Sequence, residues 1–393
     1  MQMYNAKKPP SFSLNGRHYK PESNWNAVSS KFRGCPSRHH MAISRHPSQH
    51  TFIVSTYLGF VVCEDYNNTQ ILSELSTEKM HVTSVDFSTT EQPEALITFT
   101  LGHILLIDPI KRRRGKVTWL NTQRNIYSPR PPIVCRWYNE KEFIVLFDDN
   151  TMWKFSKEFE IESERSTRYL TERLKEARNS LVDFISFDYP RNDGSPTSLW
   201  KFYCGRIRDL RFANKVGPNQ SLFALITDEG QLKIFDFERA VSLVSFYSYF
   251  AGFLCMSWSS DNSVIVTGGE DDSISVWSLE LRKLIHRGEG HSSWVSAVAI
   301  ATEIDNSYTV WSAGQDGKLL VWNFMKEERS EIANGYEMKD HVSYPMRNEF
   351  PIMQPVLDLE ISSDPLQALD VYEGSVFVCD SMGNINRWVE QEN

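Results

Sequence analysis

Between Leu225 and Asn323 the chain repeats one short phrase three times: LITDEGQLKIFD (Leu225–Asp236), TGGEDDSISVWS (Thr267–Ser278) and SAGQDGKLLVWN (Ser312–Asn323). Each is an apolar or β-branched run, then a turn of glycine and acids, then a second run that closes on an aromatic. The second run alternates polar and apolar at period two, as a half-buried strand does, so each phrase reads as an antiparallel hairpin. An isolated hairpin is marginal in water. Repetition therefore points to many copies packed on one another. Further copies are LFDDNTMWKFS (Leu146–Ser156), ending near Phe155, and VCDSMGNINRWV (Val378–Val389), ending near Trp388. Two degenerate ones come first, FIVSTYLGFVVC (Phe52–Cys63) and LITFTLGHILLID (Leu96–Asp108).

That makes seven units. Phe235 to Trp277 is 42 residues and Trp277 to Trp322 is 45, the period of WD-repeat blades with four strands each. Runs such as FLCMSW, VSAVAI and RKLIH supply the flanking strands. The expected fold is all-β, a seven-bladed WD-repeat β-propeller with polar inter-blade insertions. Radial closure would leave only short protected edges. Residues 1–25, with Pro9, Pro10 and Pro21 among polar neighbours, read as a flexible N-terminal tail, and 26–393 as the propeller. A segment near Asn26–Phe32 is expected to supply the strand that closes the ring.

Two intervals are too long: Phe155 to Phe235 is 80 residues and Trp322 to Trp388 is 66. They place insertions at about 157–198 and 325–348. In the first, Leu170, Leu174, Ala177 and Leu181 fall on one helical face. An amphipathic helix and a polar loop both fit. The second is charged without periodicity and reads as a flexible surface loop.

A net charge of −8 argues against a general nucleic-acid or anionic-membrane binder, which is usually basic. The apolar run Phe250–Met256 is far too short to span a bilayer, and the N-terminus lacks signal-peptide order. The expectation is a soluble cytoplasmic protein, with a nuclear pool if KRRRGK (Lys111–Lys116) is an import patch. Following LIDPI, the run more simply reads as a solvated turn between strands. The six cysteines are spread singly and the ten histidines form no ligand spacing, so neither metal nor cofactor is expected.

The unit from Gly290 to Trp322 explains the recurring residue types. His291, Ser312, Asp316 and Trp322 are the four groups that can link indole to hydroxyl to imidazole to carboxylate, leaving each buried polar atom a partner. A His–Asp–Ser set suggests a hydrolase, but in a repeat the indole is expected to occupy the serine, so no catalytic residue is assigned. The preceding unit has Thr267, Asp271 and Trp277 in the matching places, with Phe250 where the histidine would be. Phenylalanine cannot complete the set, so Asp271 is expected to turn to water or backbone. That departure marks Phe250 as a residue kept for another reason.

The stretch YFAGFLCMSWSSDNSVIVTGGEDDSISVWS running into RGEGHSSWVSAVAI, with LIDPIKRRRGKV and SAGQDGKLLVWNF, resembles the WD-repeat protein 20 / CreC family. The resemblance covers roughly Phe52 to Trp388. It implies a non-catalytic subunit that binds and activates a ubiquitin-specific protease, often beside a second WD-repeat subunit. It also implies docking through an aromatic at the position of Phe250 and through the tryptophan of GHSSW, Trp294. Both precede the first strands of adjacent blades, so they are expected on one rim, with Tyr247 and Tyr249 close by in sequence. The alternative is a general WD-repeat scaffold or a substrate adaptor in another ubiquitin or signalling complex.

Overall fold

The structure is a computed structural model. It describes residues 9–21, 41–43, 51–56, 59–64, 70–76, 81–88, 94–100, 102, 104–107, 118–119, 130–156, 184–188, 198–214, 221–248, 250–303, 307–325, 341–343, 350–372, 374–382 and 384–391. Among these residues the secondary structure is strand throughout, with no helix. The strands form seven sheets of four or five strands. The architecture is all-β, and the seven sheets equal in number the seven repeat units of the sequence.

The chain divides into two compact units. One comprises His39–Phe253 with Lys339–Val342; the other comprises Met1–Arg38, Leu254–Met338 and Ser343–Asn393.

The first of these units holds four sheets. The earliest is Met41–Ile43, Thr51–Thr56, Gly59–Glu64 and Gln70–Ser76. Next come Val82–Phe87, Ala95–Phe99, Ile104–Ile107 and Thr118–Trp119. The third runs Pro132–Trp137, Glu142–Phe147, Thr151–Ser156 and Ser198–Phe202, with Phe184–Asp188 added outside. The fourth is Ile207–Phe212, Leu222–Thr227, Gln231–Asp236 and Val241–Tyr247, with His341–Ser343 outside.

In the other unit one sheet consists of Phe253–Trp258, Val264–Gly269, Ser273–Ser278 and Lys283–Glu289, to which Ile352–Met353 adds in parallel. A second consists of Val295–Thr302, Ser307–Gly314, Lys318–Met325 and Leu357–Glu360. The last joins both chain ends: Leu366–Tyr372, Ser375–Asp380, Ile385–Gln391, Arg17–Pro21 and Phe12–Leu14.

The repeat is visible in register as well as in count. Five sheets carry an irregularity one residue into the first strand, after Val82, Pro132, Ile207, Val295 and Leu366, as bulges inherited with each copy would do. The aromatics that close the third strands, Phe155, Phe235, Trp277, Trp322 and Trp388, are all buried. Strands such as Val264–Gly269 and Ser273–Ser278 are buried along their whole length, because each sheet is packed on both faces.

Three boundary expectations change. Residues 12–21, expected in a flexible tail, form a hairpin instead. Asn15 and Gly16 both take positive φ, 51° and 76°, the geometry that an Asn-Gly type I′ turn supplies. Arg17–Pro21 then completes the last sheet against Ile385–Gln391. Phe12 stacks on Tyr19 at 4.9 Å and tilts against Trp311 and Trp388 at 6.0 and 6.1 Å. The Trp388 indole donates to the Pro10 carbonyl. The expected closing segment near Asn26–Phe32 lies outside the described residues.

Within the 157–198 insertion the helix over Leu170–Leu181 also lies outside them, whereas Phe184–Asp188 is a strand paired with Ser198–Phe202. In the 325–348 insertion His341–Ser343 is a strand on the outer edge of Val241–Tyr247. Each of these extra strands takes up the unpaired backbone groups of an outer edge. The run Lys111–Lys116 is outside the described residues.

Removing residues 1–21 should lower the melting temperature, because it uncovers Trp311 and Trp388 and loses burial of Phe12, Leu14 and Tyr19, roughly 1.5–3 kcal/mol for each large side chain. Thermal melting of the truncated chain against the full chain checks this, and an unchanged midpoint would contradict the docked hairpin.

Candidate functional site

Most large aromatic side chains in the described residues are buried, but Phe250 and Trp294 are each 44% exposed. Both lie on loops that lead into the first strand of a sheet. The two loops are held differently.

The Phe250 loop leans on the turn of the sheet that precedes it. The Ser248 N–H donates to the Gly230 carbonyl at 2.7 Å, and the Phe250 N–H donates to Ser248 Oγ at 3.2 Å. Gly252 passes so close to the Asp228 carbonyl that a Cβ there would lie 2.2 Å from the oxygen. Gly230 has φ +75°, and a Cβ on it would meet the Ala251 carbonyl at 2.6 Å. Two glycines thus let loop and turn close on each other, a fit that a larger residue would break. Tyr247 ends the outer strand opposite Gln231 and is half-buried. Tyr249 lies outside the described residues.

The Trp294 loop leans on the turn of the sheet that follows it. His291 Nδ1 is 3.0 Å from both carboxylate oxygens of Asp316, and Nε2 is 2.6 Å from Ser312 Oγ. Asp316 also accepts the Ser292 N–H at 2.9 Å and the Lys318 N–H at 3.1 Å. The Gln315 N–H returns a bond to the Trp294 carbonyl at 2.8 Å. Burial alone would raise the Asp316 carboxyl, but these donors outweigh it and hold the group below the usual carboxylate range.

One link of the expected network is missing. Trp322 Nε1 has no hydrogen-bond partner among the described residues. The hydroxyl that would have accepted from it is the Ser312 Oγ held at 2.6 Å by His291. In the neighbouring sheet, which has no such histidine, the expected bond forms: Trp277 Nε1 donates to Thr267 Oγ1 at 2.9 Å.

Asp271 departs from expectation in part. It bonds backbone N–H groups, its own and that of Ser273, as expected, but its stronger partner is Arg287, whose Nη1 lies at 2.9 Å. Arg287 comes from the fourth strand, Lys283–Glu289, and its other nitrogens reach Ser273 Oγ at 3.0 Å and Glu289 at 3.4 Å. Sequence reasoning missed it because the fourth strand lies outside the repeated phrase. A cation two residues before the strand end was the only trace. The Thr151–Ser156 sheet uses the same device, with Lys201 on its fourth strand 3.3 Å from Thr151 Oγ1 and 3.7 Å from Asp149. Burial still outweighs Arg287 and raises the Asp271 carboxyl above its ordinary value.

The Ser312–His291–Asp316 array has hydrolase-like spacing, and no indole occupies the serine. Burial decides its role instead: Ser312 is 0% exposed and the His291 side chain is equally closed, so no substrate carbonyl can reach Oγ. Among the described residues no group of three or more His, Cys, Asp or Glu could hold a metal ion, and no helix is long and apolar enough to cross a membrane.

The profile of the family described as WD domain, G-beta repeat matches residues 242–278 and 282–323. Those spans end just beyond Trp277 and Trp322, the aromatics that close the two best-formed hairpins. The chain carries WD repeats. It is also similar to the UBP9-binding protein bun62 of Schizosaccharomyces pombe (strain 972 / ATCC 24843), with 27% identity over 77% of this chain. The match spans 63% of that relative's length. The His291–Asp316 pair lies wholly within the second matched span, whereas Asp271 of the first takes its cation, Arg287, from just beyond that span. Phe250 belongs to one compact unit and Trp294 to the other.

Replacing Arg287 with alanine leaves Asp271 buried without its cation and should cost about 3 kcal/mol. Asp271→Asn in that background should recover part of the loss, measured as a double-mutant cycle in denaturant. The two aspartates respond oppositely to pH. Asp316, with its lowered pKa, stabilises the fold above the usual carboxylate range, and that contribution is lost as pH falls through its folded value. Asp271, with its raised pKa, loses stabilisation as pH rises from the unfolded value towards the folded one. Melting curves from about pH 3 to 7 should therefore steepen on the acid side for Asp271→Asn and flatten for Asp316→Asn.

Proposed function

We propose that this WD-repeat chain is a non-catalytic subunit that binds a ubiquitin-specific protease and raises its activity, with Phe250 and Trp294 as the docking side chains. The observation that carries the proposal is the pair of exposed aromatics on loops tied down by backbone hydrogen bonds. A large aromatic held in place before binding loses little entropy on docking, which is the usual profile of an interface hot spot. The relative named for binding UBP9 supports the choice of partner. A second WD-repeat subunit in the same complex, and a cytoplasmic and nuclear location, belong to the same reading.

Activation then needs no chemistry from this chain. A propeller that prefers the productive conformation of the protease by about 1–3 kcal/mol raises its activity roughly 5–150-fold.

The experiment has two stages. Tagged full-length chain is purified from cells and the co-purifying proteins are identified. A recovered ubiquitin-specific protease is then produced alone and assayed on a fluorogenic ubiquitin conjugate with and without this chain. Phe250→Ala with Trp294→Ala should abolish both binding and stimulation while the melting temperature stays within a few degrees of wild type. Stimulation retained by the folded double variant would overturn the site, and recovery of no such protease would overturn the partner. Cleavage of the conjugate by this chain alone would overturn the non-catalytic role.

A further inference from the structure

The two docking loops differ in their electrostatic surroundings. Val295, which follows Trp294, packs directly on the backbone of Gly268: a Cβ on that glycine would lie 2.6 Å from Val295 Cγ1. That contact sets Trp294 one residue away from the strand that runs through Gly269 into the turn carrying Glu270, Asp271 and Asp272. Strand pairing adds a fourth carboxylate, since Glu289 lies opposite Ser273 at the end of that turn.

Against these four carboxylates stands one guanidinium. Arg287 is 8% exposed and is taken up by Asp271 at 2.9 Å and Glu289 at 3.4 Å. No ion pair to Glu270 or Asp272 occurs among the described residues, and the Glu289 side chain is 49% exposed. Around Phe250 the balance is different. The turn there carries Asp228 and Glu229, but Arg208 on the strand Ile207–Phe212 approaches Asp228 to 4.0 Å, and Arg206, just before that strand, pairs with Asp148 at 2.7 Å.

Resting on the reading that Trp294 docks the protease, we infer that the protease surface receiving Trp294 is basic, an apolar pocket bordered by lysine or arginine. The acidic turn beside Trp294 steers that surface during encounter, whereas the indole sets how long the complex lasts. A shared field of this sign also repels nucleic acid and anionic membranes from the same spot.

The test uses the protease recovered above, produced on its own, and the full-length chain immobilised for association and dissociation kinetics. Glu270→Gln, Asp272→Asn and Glu289→Gln are combined. Asn suits position 272, where φ is 60°. In about 50 mM salt the association rate should fall about tenfold while dissociation changes little. The difference should vanish near 1 M salt, where the screening length drops to about 3 Å. Trp294→Ala should instead speed dissociation at every salt concentration.

If the triple variant associates like wild type in low salt, or faster, the inference is overturned and the Trp294 reading stands. If Trp294→Ala binds like wild type, the underlying reading fails. Should the triple variant melt early, Glu270→Gln with Asp272→Asn leaves Arg287 and its partners intact. That pair should still slow association several-fold, and an unchanged rate would again overturn the inference.

Discussion

A carboxylate in the hairpin turn of a sheet, paired with one buried cation or imidazole, is the interaction on which much of this molecule depends. Sheets packed on both faces leave the turn as the place where polar groups gather. There a carboxylate must find donors, or burial becomes costly. Asp316 finds His291 and two backbone N–H groups, and Asp271 finds Arg287. Each solution fixes a turn. In the Asp316 case the turn then fixes the loop that ends in an exposed tryptophan.

The choice of partner decides what else the blade can hold. Histidine reaches Asp316 from the loop before the first strand, so that loop is bound to its own sheet. Arginine reaches Asp271 from the fourth strand, which frees the preceding loop from that duty. No histidine stands in the loop before that sheet's first strand, which carries Phe250 and is fastened to the preceding turn through Gly230 and Gly252. An aromatic can point outward there because the carboxylate is satisfied from elsewhere. The sequence substitution and the structural compensation are two parts of one arrangement.

Much of this is legible in the amino-acid sequence. The seven sheets and the buried closing aromatics follow from turn chemistry and period-two alternation, both local signals, whereas the fifth strands of four sheets do not. The Thr267–Trp277 and His291–Asp316 bonds follow from residue types at fixed spacing. Arg287 is not legible, because its contact depends on register across two strands and the repeated phrase stops short of it. The missing Trp322 bond is not legible either. A hydroxyl can accept from an indole while bonding an imidazole, so the residue types allow both bonds, and only the geometry shows that the indole bond is not made. The Asn15-Gly16 turn is a local signal that the surrounding prolines obscure. For the proposed docking residues, sequence points to Phe250 and Trp294, and the fold adds how each loop is held and what charge surrounds it.

The claim that a buried turn carboxylate holds the Trp294 loop has a direct measurement. Amide hydrogen exchange is followed in the wild-type chain and in Asp316→Ala at a pH where both are folded. The account predicts that the Ser292 and Gln315 amides lose protection together in the variant, while the core amides of Val264–Gly269 keep theirs. Unchanged exchange at Ser292 and Gln315 would contradict it.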